Sequence, residues 1–135
     1  MNMSSLDAHV LPRVLHIDPD MDAAVVLATL LVPDTEVVHA ATLEAARRQL
    51  DSGDFALVVL DPDLPDGDGH TLVRSLRERS HVPVLLYTAS QPALHHQAHA
   101  FLPKPWTSPR QLWHTVAHLL DIDPQVPSAL QLEAR

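Results

Sequence analysis

Four apolar runs in this sequence end on side chains that can manage charge. Val14-Leu15-His16-Ile17 runs into Asp18. Leu57-Val58-Val59-Leu60 runs into Asp61 and, two residues on, Asp63. Val84-Leu85-Leu86-Tyr87 runs into Thr88, and Phe101-Leu102-Pro103 into Lys104. Acids, a hydroxyl and an ammonium gathered at one place suit phosphoryl transfer onto an aspartate. Mg2+ takes hard oxygen ligands, often one or two carboxylates plus waters. A transferred phosphoryl group needs donors around its oxygens, which Thr88 and Lys104 could supply. Two carboxylates about 5 Å apart repel by roughly 3 kcal/mol at an effective dielectric of 20, so holding them together invites a cation or a raised pKa. The plain alternative is that Asp61 caps a turn, since the Asp, Pro and Gly of Asp61-Pro62-Asp63-Leu64-Pro65-Asp66-Gly67-Asp68-Gly69 are loop chemistry.

For these side chains to meet, the runs must be strands of one sheet whose carboxyl ends share an edge, where parallel α/β sheets bind ligands. The intervening residues supply the crossovers. Asp18 as N-cap and Pro19 at the first helical position start a helix reaching Val32, with Met21, Ala24, Val25, Ala28 and Leu31 inward. Glu36-Val37-Val38-His39-Ala40 is the second strand. Thr42 caps a helix from Leu43 to about Ser52, with Leu43, Ala46 and Leu50 inward and Gly53 as its C-terminal stop. A third helix follows Gly69, burying Leu72, Val73 and Leu76. Ser90 to Ala100 has little periodic apolar content. Thr107 or Ser108, with Pro109, opens a last helix to about Leu120 that buries Leu112, Val116, Leu119 and Leu120. Strands alternating with helices imply a parallel sheet covered on both faces, joined by right-handed crossovers.

The chain has 135 residues and 46% hydrophobic content, so a single domain with a real core is expected. A formal net charge of −8 disfavours direct nucleic-acid binding. There is no cysteine, hence no thiolate chemistry. The longest apolar stretch, Ala23 to Val32, is too short to span a bilayer. A soluble, cytoplasmic protein with no membrane association is expected. Residues 1–12 read as a disordered lead, 13–121 as the domain and 122–135 as a tail.

The pieces Leu15-His16-Ile17-Asp18, Asp61-Pro62-Asp63-Leu64-Pro65 with Gly69, Pro83-Val84 through Thr88-Ala89, and Phe101-Leu102-Pro103-Lys104-Pro105, taken in order, resemble the receiver domain of two-component response regulators. The resemblance covers roughly residues 12–121. It implies a flavodoxin-like (βα)5 sandwich with strand order 2-1-3-4-5. It makes Asp61 the phosphoacceptor, charged by a sensor histidine kinase or phosphotransfer protein. Asp18, Asp61 and, through its backbone carbonyl, Asp63 would hold Mg2+. Thr88 and Lys104 would contact the phosphoryl group, and Phe101 would be the switch aromatic. Output would pass to a downstream protein effector, with a homodimer as an option. The fifteen residues after Leu120 are too few for an effector domain, so a stand-alone receiver is expected.

Two departures stand out. Receivers usually carry adjacent acids after the first strand; here Pro19 replaces the second, so Mg2+ should bind weakly. Asp20 could substitute, and Asp18 could be occupied as a cap. Only fifteen residues, 89–103, link Thr88 to Lys104, so the fourth helix must be short or irregular. Pro103 is tolerable only near an edge or strand end. These departures keep open a pseudo-receiver, the same fold as a phosphorylation-independent binding module. An Asp-x-Asp phosphohydrolase of the haloacid-dehalogenase kind fits poorly, because Leu64 follows the motif and the strand is not the first. His95 and His99 have i, i+4 spacing, but no acid completes a metal site. His16 reads as a satisfied strand residue, Trp106 and Trp113 as packing residues, and Asp66 and Asp68 as serving the turn and the next helix.

Overall fold

The computed structural model describes residues 11–32, 34–91 and 97–123. Its elements are β1 (Arg13–Ile17), α1 (Met21–Leu31), β2 (Glu36–Ala40), α2 (Leu43–Ser52), β3 (Leu57–Leu60), β4 (Asp63–Leu64), β5 (Gly67–Asp68), α3 (His70–Arg79), β6 (Val84–Thr88), β7 (Ala100–Pro103) and α4 (Pro109–Leu119). Five strands form one parallel sheet in the order β2-β1-β3-β6-β7. This is the flavodoxin-like order expected, with β6 and β7 as its fourth and fifth strands. β4 and β5 form a two-stranded antiparallel hairpin that sequence periodicity did not reveal.

Each face of the sheet buries its own core. Leu15, Ile17, Val58, Leu60, Val84 and Leu86 pack under α2 and α3. Val14, Leu57, Val59 and Leu85 pack under α1 and α4. β3 is central and buried at all four positions, as its unbroken apolar run requires. β7 is an edge strand and Pro103 ends it, so the missing N–H costs no ladder bond inside the sheet. The expected fourth helix falls partly on residues 92–96, outside those described; the described residues of that connection carry no helix. The expected lead and tail also lie mostly outside, although Ile122 packs on the second core.

Several local expectations change. The N-cap of α1 is Asp20, whose side chain accepts the Asp22 N–H, and not Asp18. Asp18, just past β1, extends the pairing with β2: its N–H bonds the Ala40 carbonyl at 3.0 Å. α1 buries Ala24, Leu27, Leu30 and Leu31, while Met21 and Val25 are exposed. A helix that is apolar on nearly every side gives periodicity no phase to read. Gly53 does follow α2, but with φ −170° rather than in the left-handed region; a Cβ there would lie 2.8 Å from the Arg13 guanidinium. Ser108 caps α4 in a capping box with Gln111, and Pro109 takes the first turn. Asp68 serves α3 as expected, accepting the His70 N–H, whereas Asp66 reaches back to α2. Gly69 sits where a Cβ would come within 2.7 Å of the Pro62 backbone, which fixes the path from the hairpin into α3.

Candidate phosphoacceptor site

Parallel pairing puts the carboxyl ends of β1, β3, β6 and β7 on one rim. Asp61 leaves β3 with its N–H on the Ile17 carbonyl at 2.8 Å, which holds it beside Asp18. Lys104 leaves β7 with its N–H on the Thr88 carbonyl at 3.0 Å. Its ammonium crosses the rim to donate to Asp18 Oδ2 at 2.5 Å and to Asp61 Oδ2 at 3.2 Å, over the Tyr87 ring. Three residues predicted from far-apart segments therefore meet in one cluster. The Asp61 side chain keeps 13% exposure, whereas that of Asp18 has none.

Thr88 lies at the rim but does not join that cluster. It is buried, its hydroxyl accepts the Ser90 N–H at 3.2 Å, and no hydrogen bond links it to Asp61 among the described residues. Asp63 donates its N–H to Asp61 Oδ1 at 3.1 Å, while its own carboxylate accepts from the Ser90 hydroxyl. Phe101 is half-buried against the α2/α3 core, beside its register partner Leu86.

Residues not foreseen in these roles complete the surroundings. His16 is fully buried, with Nε2 3.4 Å from Asp18 Oδ2, so it is not the satisfied strand residue expected: neither ring nitrogen has a hydrogen-bond partner. His39 Nε2 lies 2.7 Å from the Asp18 carbonyl. Ser90 ties the loop after β6 to Asp63. The signal for His16 was a polar residue inside an apolar strand next to an acid. Trp113 is buried in the α1/α4 core as expected, but Trp106, beside the cis Lys104–Pro105 bond, is 82% exposed. His95 lies outside the described residues; the His99 Nδ1 accepts the Val84 N–H and so serves the sheet.

The electrostatics follow from the pairing. Burial alone would raise the Asp18 carboxyl, but the His16 imidazole beside it and the hydrogen bond from Lys104 outweigh it and hold it below the usual value. Burial would lower the Lys104 ammonium, but the two aspartates, Asp18 foremost, hold it above its usual value. Burial lowers His16 despite Asp18.

The carboxylate oxygens that would hold a divalent cation are already engaged in this geometry. Pro19 contributes no carboxylate. Asp18 Oδ1 accepts the Asp20 N–H, Asp61 Oδ1 accepts the Asp63 N–H, and both Oδ2 atoms face Lys104. Asp20, the possible substitute, caps α1 instead. Among the described residues no group of three His, Asp or Glu side chains could hold a metal ion.

Comparison with known proteins fits this geometry. The profile of the response regulator receiver domain matches residues 14–117. Protein PetR of Rhodobacter capsulatus is 33% identical over 125 residues, covering 87% of this chain and 52% of PetR. KdpE, a KDP operon transcriptional regulatory protein of Escherichia coli, is 43% identical over 56 residues, covering 42% of this chain and 23% of KdpE. The chain thus spans about half or less of the length of these relatives. Among solved structures, a CheY-like receiver domain from Methanospirillum hungatei superposes with TM-score 0.73 at 26% identity, covering 82% of this chain and 94% of that one. A response regulator from Chloroflexus aurantiacus gives 0.74 at 27%, covering 82% and 98%. No helix among the described residues is long and apolar enough to cross a membrane. With the sheet order, the rim cluster and the profile in agreement over the same residues, the chain belongs to the response regulator receiver family.

Proposed function

We propose that this chain is a phosphorylation-dependent signalling switch with Asp61 as phosphoacceptor. The observation that carries the reading is Lys104, held between Asp18 and Asp61 at a rim where Asp61 alone of the two acids is open to solvent. An Asp61 oxygen attacks the phosphorus of a phosphohistidine. The P–N bond breaks, and its electron pair leaves on the imidazole, which takes a proton from solvent. The Lys104 ammonium faces the charge that builds on the phosphoryl oxygens. Thr88 would have to give up the Ser90 N–H and turn to reach them. Phe101, half-buried at the rim of the core, is the aromatic that could repack when it does.

Receiver domains interact with histidine kinases or phosphotransfer proteins and with effectors, and they generally bind Mg2+ at the phosphorylation site. For this chain we assign a histidine kinase or phosphotransfer donor and a protein effector as partners, with Mg2+ bound weakly. Receiver domains are generally signalling domains rather than enzymes. The limits of the domain are assigned to residues 13–121.

Incubation with a small-molecule phosphodonor, with and without Mg2+, followed by intact mass, tests the reading. One phosphoryl group gained by the wild type and none by Asp61→Asn is the expected result. No gain under either condition would leave the phosphorylation-independent binding module in its place.

A further inference from the structure

We propose that His16 is a positioning residue for the Asp61 site: its buried imidazole fixes the Asp18 carboxylate against Lys104, so that the ammonium, and not a divalent cation, is the charge facing Asp61. This rests on Asp61 being the phosphoacceptor. His16 lies on β1 between Leu15 and Ile17, which point into the α2/α3 core, and shares its own face with Val14. An aliphatic side chain would complete that face. Instead an imidazole stands there with no solvent exposure and no hydrogen-bond partner for either nitrogen. The polar atom it faces is Asp18 Oδ2, 3.4 Å from Nε2.

Asp18 is held from every side. Its N–H bonds Ala40, its carbonyl meets His39 Nε2 at 2.7 Å, Oδ1 accepts the Asp20 N–H and Oδ2 accepts Lys104. His16 and His39 are register partners on β1 and β2, with ring centroids 6.0 Å apart. One grips the carboxylate side and the other the backbone side. Groups behind a charged site orient its ligands in this way. With proline at position 19, no neighbouring carboxylate draws a metal ion that would pull Asp18 off Lys104. The arrangement requires neutral His16 as the Nε2–H tautomer, so that the N–H dipole, 3.4 Å away, faces Oδ2.

Long-range 1H–15N NMR on the full chain reads that tautomer. Nε2–H is expected, and Nδ1–H overturns the proposal. The wild-type Lys104 ammonium, part-buried between two carboxylates, should give a slowly exchanging signal, and His16→Val should erase it. The same substitution should also lower the Mg2+ concentration that half-saturates beryllofluoride binding by about tenfold, the size such supporting contacts reach. His16→Gln, which keeps an N–H donor, should leave both as in the wild type. If the two variants behave alike, or if valine moves neither readout, His16 is a core filler and the proposal fails. Should His16→Val not fold, the tautomer and the glutamine variant decide. Beryllofluoride binding to no variant at any Mg2+ concentration sinks the phosphoacceptor reading of Asp61, while the tautomer and ammonium signals still judge His16.

Discussion

Asp66 caps a helix that begins more than twenty residues before it: its two carboxylate oxygens accept the N–H groups of Leu43 at 2.7 Å and Glu44 at 3.0 Å. Thr42 satisfies the next donor, Ala45 N–H, at 3.0 Å. The β4–β5 hairpin, which follows Asp61, is thereby pinned to α2. These two backbone donors hold the Asp66 carboxyl below its usual value. The contact therefore stabilises the fold at neutral pH and is lost as pH falls through that lowered value. Asp66→Ala should lower the urea midpoint at pH 7 with an unchanged slope, and Asp66→Asn should lower it less. The alanine difference should vanish in strong acid.

The two tryptophans should separate cleanly. Trp113 is 4% exposed in the α1/α4 core, and Trp113→Ala should cost about 3–5 kcal/mol. Trp106 is 82% exposed, and Trp106→Ala should change stability by less than about 0.5 kcal/mol. Urea unfolding of both variants checks this, and iodide should quench the fluorescence remaining in Trp113→Ala but not that in Trp106→Ala.

Lys104→Met leaves Asp18 and Asp61 facing each other without a cation. Breaking a part-buried pair of this kind should cost about 3 kcal/mol. Mg2+ should stabilise the methionine variant more than the wild type, because the displaced charge is then the ion's to supply. The contribution of Lys104 is complete below about pH 10.4, its unfolded value, and is lost as pH rises through its raised native value. An equal Mg2+ response in the two proteins, measured by thermal shift, would show that Lys104 does not hold the cation's place.

His16 and His99 both sit below their ordinary values, His16 through burial and His99 through burial and then the charge of Arg77. The unfolded chain then binds protons at pH values where the native chain does not. Stability should be flat above about pH 6.5 and fall as pH drops through the two native values. Protonated His99 could no longer accept the Val84 N–H, which it now does at 3.0 Å. Urea unfolding across about pH 5 to 8 should show the slope, and His99→Gln should flatten part of it.

The sheet and its rim were legible because apolar runs ending in Asp61, Thr88 and Lys104 leave few other arrangements. What escaped depended on partners distant in sequence. Asp20 rather than Asp18 caps α1 because the Asp18 carboxylate is taken by the Asp20 N–H and Lys104, while the Asp20 carboxylate reaches the Asp22 N–H of the first turn. Asp66 and Asp68 look alike in the sequence, yet one serves α2 and the other α3. Met21 and Val25 matched helical spacing, but so did almost every residue of α1, and it is the sheet and α4 packed against the helix that select Leu27 and Leu30 as inward residues. His16 was visible as an exception in an apolar strand, but its contact with Asp18 required the strand to end where it does.

The short edge strand β7 has one more consequence. An open parallel sheet offers its outer strands as templates on which a foreign chain can zip. On this flank the template is four residues long and closes with an imino acid that has no hydrogen to give. Self-association by strand addition there would gain few backbone hydrogen bonds.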